Sequence, residues 1–237
     1  MVYLQYERFQ EHIVKTSSIN QLMELAKYID YTFLGASGSC DAVERLCREA
    51  DECGFCSVCV NPAEVSRAKK FLEGSPVKVC TVIGFPLGQS TFAVKRFEAL
   101  DAIQNGANEL DFVINVRLLK FDPAACAEEL EGLVEACRAS GANVGLKLII
   151  ECCYLTDEEK VLACRMAKNA GFDFVKTSTG FGSGGATAED VKLMRETVGS
   201  SMGVKAAGGI RTREDAEKMI AAGASRLGCS VSLEKKI

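Results

Sequence analysis

Short unbroken apolar runs alternate along this chain with longer segments whose apolar positions recur every three to four residues. The runs fall at 28–34, 55–60, 77–84, 108–116, 144–151, 172–179, 202–209 and 225–230. The amphipathic segments between them cover 41–52, 62–73, 91–105, 123–139, 157–170, 188–198 and 213–222. Three of those segments carry a start signal, a threonine three residues ahead of a carboxylate: Thr156 and Glu159, Thr187 and Asp190, Thr212 and Asp215. Seven glycines, Gly54, Gly74, Gly106, Gly141, Gly171, Gly199 and Gly223, stand where left-handed C-terminal caps are expected. Strand–helix alternation with strands apolar on both faces predicts a parallel sheet covered by helices. Eight such units can close into a barrel or lie open. No G-x-G-x-x-G follows the first strand, which favours a (β/α)8 TIM barrel over a dinucleotide-binding sheet.

One domain of 237 residues fits that architecture. Residues 1–27 read as an N-terminal helical segment packing across the barrel's N-terminal end, 28–231 as the barrel and 232–237 as a tail. A net charge of −4 with both signs intermixed leaves no basic stripe for nucleic acid, and no run approaches the roughly 18 apolar residues of a membrane span. The acidic, interrupted start, Met1 to Arg8, is unlike a secretory signal, so the cytoplasm is the expected compartment. Twelve cysteines scattered through helix and strand patterns are expected to be reduced and to pack as small hydrophobes. Cys53, Cys56 and Cys59 form overlapping C-x-x-C pairs. A strand would turn Cys56 and Cys59 to opposite faces, and no fourth ligand follows, so no metal site is expected there. The one histidine, His12, precedes the first strand and reads as a surface or packing residue, which leaves no imidazole set for a zinc aldolase or a Ser-His-Asp hydrolase.

The chemistry points to lysines. Lys147, Lys176 and Lys205 each sit inside an apolar run, spaced evenly at roughly one strand–helix unit of ~30 residues. They are expected at matching heights on three consecutive strands. An ammonium buried without a partner is costly, so it tends to shed its proton and act as an amine nucleophile or base. That suggests covalent chemistry on a carbonyl. In a barrel the active site gathers at the C-terminal strand ends, where strand one offers Asp30 and Thr32 and strand four offers Asp111 and Asn115. A carboxylate among several lysines offsets one ammonium, and the remaining like charges depress another. Pattern alone does not say which lysine is the nucleophile. Gly208-Gly209 and Gly228-Cys229-Ser230 follow strands seven and eight, where barrels commonly hold a phosphate on backbone N–H groups, and Gly180 can add further amides.

These residues make the family recognisable. Ile29-Asp30-Tyr31-Thr32, Val58-Cys59-Val60-Asn61-Pro62, Glu109-Leu110-Asp111, Leu146-Lys147-Leu148, Val175-Lys176-Thr177-Ser178-Thr179-Gly180-Phe181 and Val204-Lys205-Ala206-Ala207-Gly208-Gly209-Ile210-Arg211 together resemble the deoxyribose-phosphate aldolase family over essentially residues 20 to 231. The resemblance implies a class I, cofactor-free and metal-free aldolase cleaving 2-deoxy-D-ribose 5-phosphate to D-glyceraldehyde 3-phosphate and acetaldehyde. It implies that Lys176 is the Schiff-base nucleophile, that Lys205 tunes it, and that Asp111 is the general acid/base. Asp30, Thr32, Cys59, Lys147 and Thr179 are then expected around the substrate, and Gly180, Gly208, Gly209, Gly228 and Ser230 around its phosphate. Tyr31 replaces a histidine of some relatives, but alternation turns it away from Asp30 and Thr32. Val231 stands where some members carry a second serine. The expected partner is a small sugar phosphate, with neither nucleic acid nor membrane, and a homodimer or homotetramer is open to such a barrel. Two other readings are an aldolase acting on a different sugar phosphate or keto-acid, and a non-catalytic sugar-phosphate binder.

Overall fold

The computed structural model describes residues 24–230. The expected N-terminal segment, apart from its last residues, His12, Val231 and the tail at 232–237 lie outside the described residues. Eight parallel strands close into a barrel in sequence order, each paired with its neighbours and β1 with β8. They are β1 Ile29–Phe33, β2 Ser57–Val60, β3 Lys78–Ile83, β4 Glu109–Val113, β5 Gly145–Ile149, β6 Phe174–Lys176, β7 Gly203–Ala207 and β8 Arg226–Cys229. Every apolar run became a strand, shorter than the run at the C-terminal end in most cases, because there the chain turns into the loops over the barrel mouth.

The helices are α1 Ala42–Cys53, α2 Val65–Phe71, α3 Phe92–Gln104, α4 Val116–Phe121, α5 Pro123–Ala139, α6 Asp157–Ala170, α7 Ala188–Val198 and α8 Arg213–Ala221. All three threonine caps accept the expected backbone N–H, and Thr156 and Thr212 complete reciprocal capping boxes. The seven stop glycines all have positive φ. The pattern did not reveal α4, whose N-cap is Asn115, the side chain accepting from Leu118 N at 3.2 Å. Asn115 was expected to be on strand four facing inward with Asp111; it caps a helix because β4 ends at Val113.

The apolar core lies between barrel and helices, where Val58, Val60, Leu110, Phe112, Leu146, Leu148, Val175 and Val204 are buried. Tyr31 also faces this layer, edge-on to Phe55 and donating to Glu49 of α1 at 2.7 Å. The barrel interior is polar instead. At its N-terminal end the Phe174 ring lies over Gly203, which leaves the space: a Cβ there would lie 2.1 Å from the ring. The Arg226 guanidinium stacks over that ring at 5.3 Å.

Candidate active site

Above the Phe174 floor the interior is a stack of charges. Arg226 reaches Asp30 Oδ1 at 2.7 Å and Glu109 Oε2 at 3.2 Å. Glu109 Oε2 lies 2.6 Å from Lys147 Nζ, and Asp30 Oδ2 lies 2.5 Å from Lys205 Nζ, a close ion pair without hydrogen-bond geometry. Asp111 joins the three lysines. Its Oδ1 accepts from Lys147 and its Oδ2 from both Lys176 and Lys205, each at 2.8 Å. All of these side chains are buried, so each charge depends on its partners rather than on water.

Burial by itself would raise the Asp111 carboxyl, but Lys147, Lys176 and Lys205 outweigh it and hold it well below the usual range. Burial likewise opposes ionisation of Asp30, and Lys205, Lys147 and Arg226 reverse that, keeping it strongly depressed. Burial disfavours the Lys147 ammonium, yet Asp111, Cys80 and Glu109 raise it well above the ordinary value. Lys205 is raised in the same way by Asp111 and Asp30 against its own desolvation. Two of the three lysines are thus fixed as cations.

The three lysines do not share one height. Lys176 pairs directly with Lys205 across β6 and β7, but Lys147 pairs with Asp111 and Phe174, while Ile149 is the partner of Lys176. Lys147 is therefore one inward layer deeper. Equal spacing in sequence counts loop and helix residues as well as strand residues, so it does not guarantee equal height in a staggered barrel.

At the C-terminal mouth a cavity of about 400 Å³ opens over this stack. Thr32, Lys176, Thr179, Gly180, Gly208, Gly209, Gly228 and Ser230 line it. Asp30, Cys59, Lys147, Lys205 and Asp111 lie beneath, fully buried and absent from the lining. Gly208 and Gly209 both take positive φ, and the loop 180–186 folds onto them, Ala186 N donating to Gly208 O at 3.0 Å. A Cβ on Gly185 would lie 2.4 Å from that oxygen, so only glycine permits the approach. Glu151, the one non-glycine with positive φ among the described residues, receives Thr179 through both its backbone N–H and its hydroxyl.

Five residues with a part in this arrangement escaped the sequence reading. Glu109, Arg226 and Cys80 belong to the stack, Glu151 braces Thr179, and Arg211 lines the cavity. Alternation could have flagged Glu109, two residues before Asp111 on the same face. Cys59 Sγ, Cys80 Sγ and an Asp111 oxygen lie within 4.8 Å of one another, a spacing that a metal ion could bridge. The same carboxylate already binds three ammonium groups, which oppose a further cation.

The family model described as "DeoC/LacD family aldolase" matches residues 18–230. The chain belongs to the DeoC/LacD aldolase family. A family relative from Thermoanaerobacter pseudethanolicus, named deoxyribose-phosphate aldolase, is 54% identical over 213 residues, covering 90% of this chain and 95% of its own length. One of the same name from Streptococcus pneumoniae is 57% identical over 212 residues, with 89% and 94% covered. Among solved family structures, a putative deoxyribose-phosphate aldolase from Coccidioides immitis superposes with a TM-score of 0.84 at 41% identity, covering 91% of this chain and 85% of that one. The Aeropyrum pernix deoxyribose phosphate aldolase, described as having a unique tetrameric structure, gives 0.82 at 35% identity, covering 88% and 87%.

Proposed function

We propose that this protein reversibly cleaves 2-deoxy-D-ribose 5-phosphate to D-glyceraldehyde 3-phosphate and acetaldehyde through a Schiff base on Lys176. The observation that carries the assignment is that, of the three barrel lysines, Lys176 alone lines the cavity. Asp30 and Glu109 are engaged by Lys147, Lys205 and Arg226 from below, and Asp111 joins Lys176 to that network. Lys147 and Lys205 lie buried beneath the cavity, so Lys176 is the amine that a carbonyl bound there can meet.

Its Nζ adds to the aldehyde carbon of the open-chain sugar and water leaves, forming an iminium. The iminium draws electrons from the C2–C3 bond while the C3 hydroxyl proton passes through a bound water to the Asp111 and Lys205 pair beneath the cavity. Glyceraldehyde 3-phosphate departs, the enamine takes a proton at carbon, and hydrolysis frees acetaldehyde and Lys176. The backbone N–H groups around Gly180, Gly208, Gly209 and Gly228, with Ser230, receive the phosphate, and Arg211 adds positive charge to the cavity wall. Thr32 and Thr179 contact the sugar. Asp30, Cys59 and Lys147 act from beneath by fixing Lys205, Asp111 and the cavity floor. The iminium is the electron sink, so the reaction needs no metal and full activity survives exhaustive chelation.

Borohydride reduction with acetaldehyde, followed by peptide mapping, tests this reading. Wild type is expected to carry a reduced adduct on Lys176, and Lys176→Ala to lose both the adduct and turnover. An adduct on Lys147 or Lys205 with activity retained would sink the assignment, and no adduct at all would favour a non-catalytic binder. We further place the protein in the cytoplasm, in keeping with twelve free cysteines, and propose self-association, in keeping with the tetrameric relative and the exposed Phe97 and Phe121.

A further inference from the structure

Two thiols in the barrel wall take no covalent part in the chemistry above. Cys59 and Cys80 are direct partners across the β2–β3 ladder, and both are fully buried. Partner residues on neighbouring strands stand ~4.8 Å apart, inside the window of roughly 4.4–6.8 Å that a disulfide spans between Cα atoms. Their sulfurs already lie within 4.8 Å, so side-chain rotation can join them without moving either strand far.

The two are chemically unequal. Contact with the Cys80 sulfur lowers Cys59 against the opposing effect of burial, with the Lys205 and Lys176 ammonium groups adding to the lowering and the Asp111 charge working against it. Burial first, then the contact with Cys59 and the Asp111 charge, raise Cys80 well above its ordinary value. Elsewhere burial chiefly pushes Cys47, Cys126 and Cys137 up to about 11. Cys80 Sγ also donates to Asp111 Oδ1 at 3.2 Å and lies 3.4 Å from Lys147 Nζ, so a proton acceptor stands beside it.

We propose that Cys59 and Cys80 are an oxidisable dithiol, that a small hydroperoxide is the reactant, and that the resulting disulfide shuts the site down. The Cys59 thiolate attacks the terminal peroxide oxygen, the O–O bond breaks, and the alkoxide or hydroxide leaves, taking up a proton, with Cys59 now a sulfenic acid. Cys80 attacks the Cys59 sulfur as its proton passes to the departing hydroxyl. The S–O bond breaks and water departs with that proton. Two thiols and one hydroperoxide thus yield one disulfide, one alcohol or water, and one further water. Leu34 lines the cavity and belongs to the same buried cluster as Cys59 and Cys80, so the hydroperoxide enters from the cavity and needs Leu34 to swing aside. Loss of activity follows because the bridge reshapes the wall beside Lys176; that consequence rests on the aldolase reading, whereas the cross-link does not.

The test is hydrogen peroxide treatment of the intact protein, alkylation of remaining thiols, tryptic digestion and tandem mass spectrometry. Cys59 falls in the peptide 49–67 with Cys53 and Cys56, and Cys80 in 79–95, so fragmentation locates the link. Expected is a cross-linked peptide short of two hydrogens, joined at Cys59, with activity lost in proportion and both changes reversed by dithiothreitol. Cys80→Ala should still be inactivated but no longer rescued, because Cys59 without its partner proceeds to the sulfinic acid. A link at Cys53 or Cys56, oxidation confined to the exposed Cys40 and Cys153, or full rescue of Cys80→Ala would overturn the proposal. Should that variant fail to fold, the wild-type map decides alone. The mass readout is independent of which sugar phosphate is cleaved, so its failure would leave the aldolase assignment standing.

Discussion

Asp111 carries three ammonium groups on two oxygens, so removing any one of them redistributes charge over the others. Lys205 is the informative one to remove, because it touches Asp30 as well and has no opening to the cavity. Lys205→Leu is expected to keep the barrel and slow turnover by at least ~10²-fold, the size of a typical acid–base contribution. Asp30 and Asp111 then lose a cation that holds both carboxyls low, so the pH at which the rate rises should move upward. An unshifted profile of kcat/KM against pH would make Lys205 structural only. Lys176, Lys205 and Asp111 were legible as chemistry from charge inside apolar runs. Arg226 was not: it opens a strand, where a charged residue ordinarily meets water, and only closure of the barrel brings it onto Glu109 and Asp30.

Strands and helices were legible for a local reason, since periodicity and caps act within a few residues of one another. The failures were also local in kind. Asn115 continues the β4 run in sequence, yet the side chain satisfies a helix N–H that no alternation pattern reports. At the loop after β7, the glycines can be tested as an anion cradle. Gly209 has φ 82°, and a Cβ there meets no atom within 4 Å, so strain rather than lack of room is what Gly209→Val introduces. The loop should relieve it by turning its amides from the cavity. KM for deoxyribose 5-phosphate is expected to rise steeply, with part of the loss in kcat because remote binding also orients the reacting carbon. Unphosphorylated deoxyribose should be affected far less; equal losses for the two sugars would remove support for the cradle.

At the scale of the molecule, a charged stack takes the place of the layers of branched apolar side chains usual inside such barrels, and that ties stability to acid. Asp30 and Asp111 have folded pKa values depressed below the ordinary carboxylate value of 3.8. Their stabilisation is complete above the unfolded value and drains away as pH falls toward the folded one. The urea midpoint should therefore hold from neutral pH to about 5 and drop below about 4, where unfolded aspartate takes up protons first. Asp30→Asn should lower the midpoint at neutral pH and flatten the acid slope. A variant as acid-sensitive as wild type would show that Asp30 is not held in this way. No helix among the described residues is long and apolar enough to cross a membrane.

The sequence by itself determined the eight strands, their order with the helices, the glycine stops, the three lysines set inside apolar runs and the resemblance that named a substrate, because each rests on neighbours in the chain or on matched residue strings. Only the tertiary structure decided that Lys147 lies a layer below Lys176 and Lys205, that Lys176 alone reaches the cavity, that Arg226 and Glu109 complete the stack, and that Cys59 faces Cys80. These are relations between residues far apart in sequence. Strand stagger and barrel closure set them, and neither leaves a trace in local periodicity.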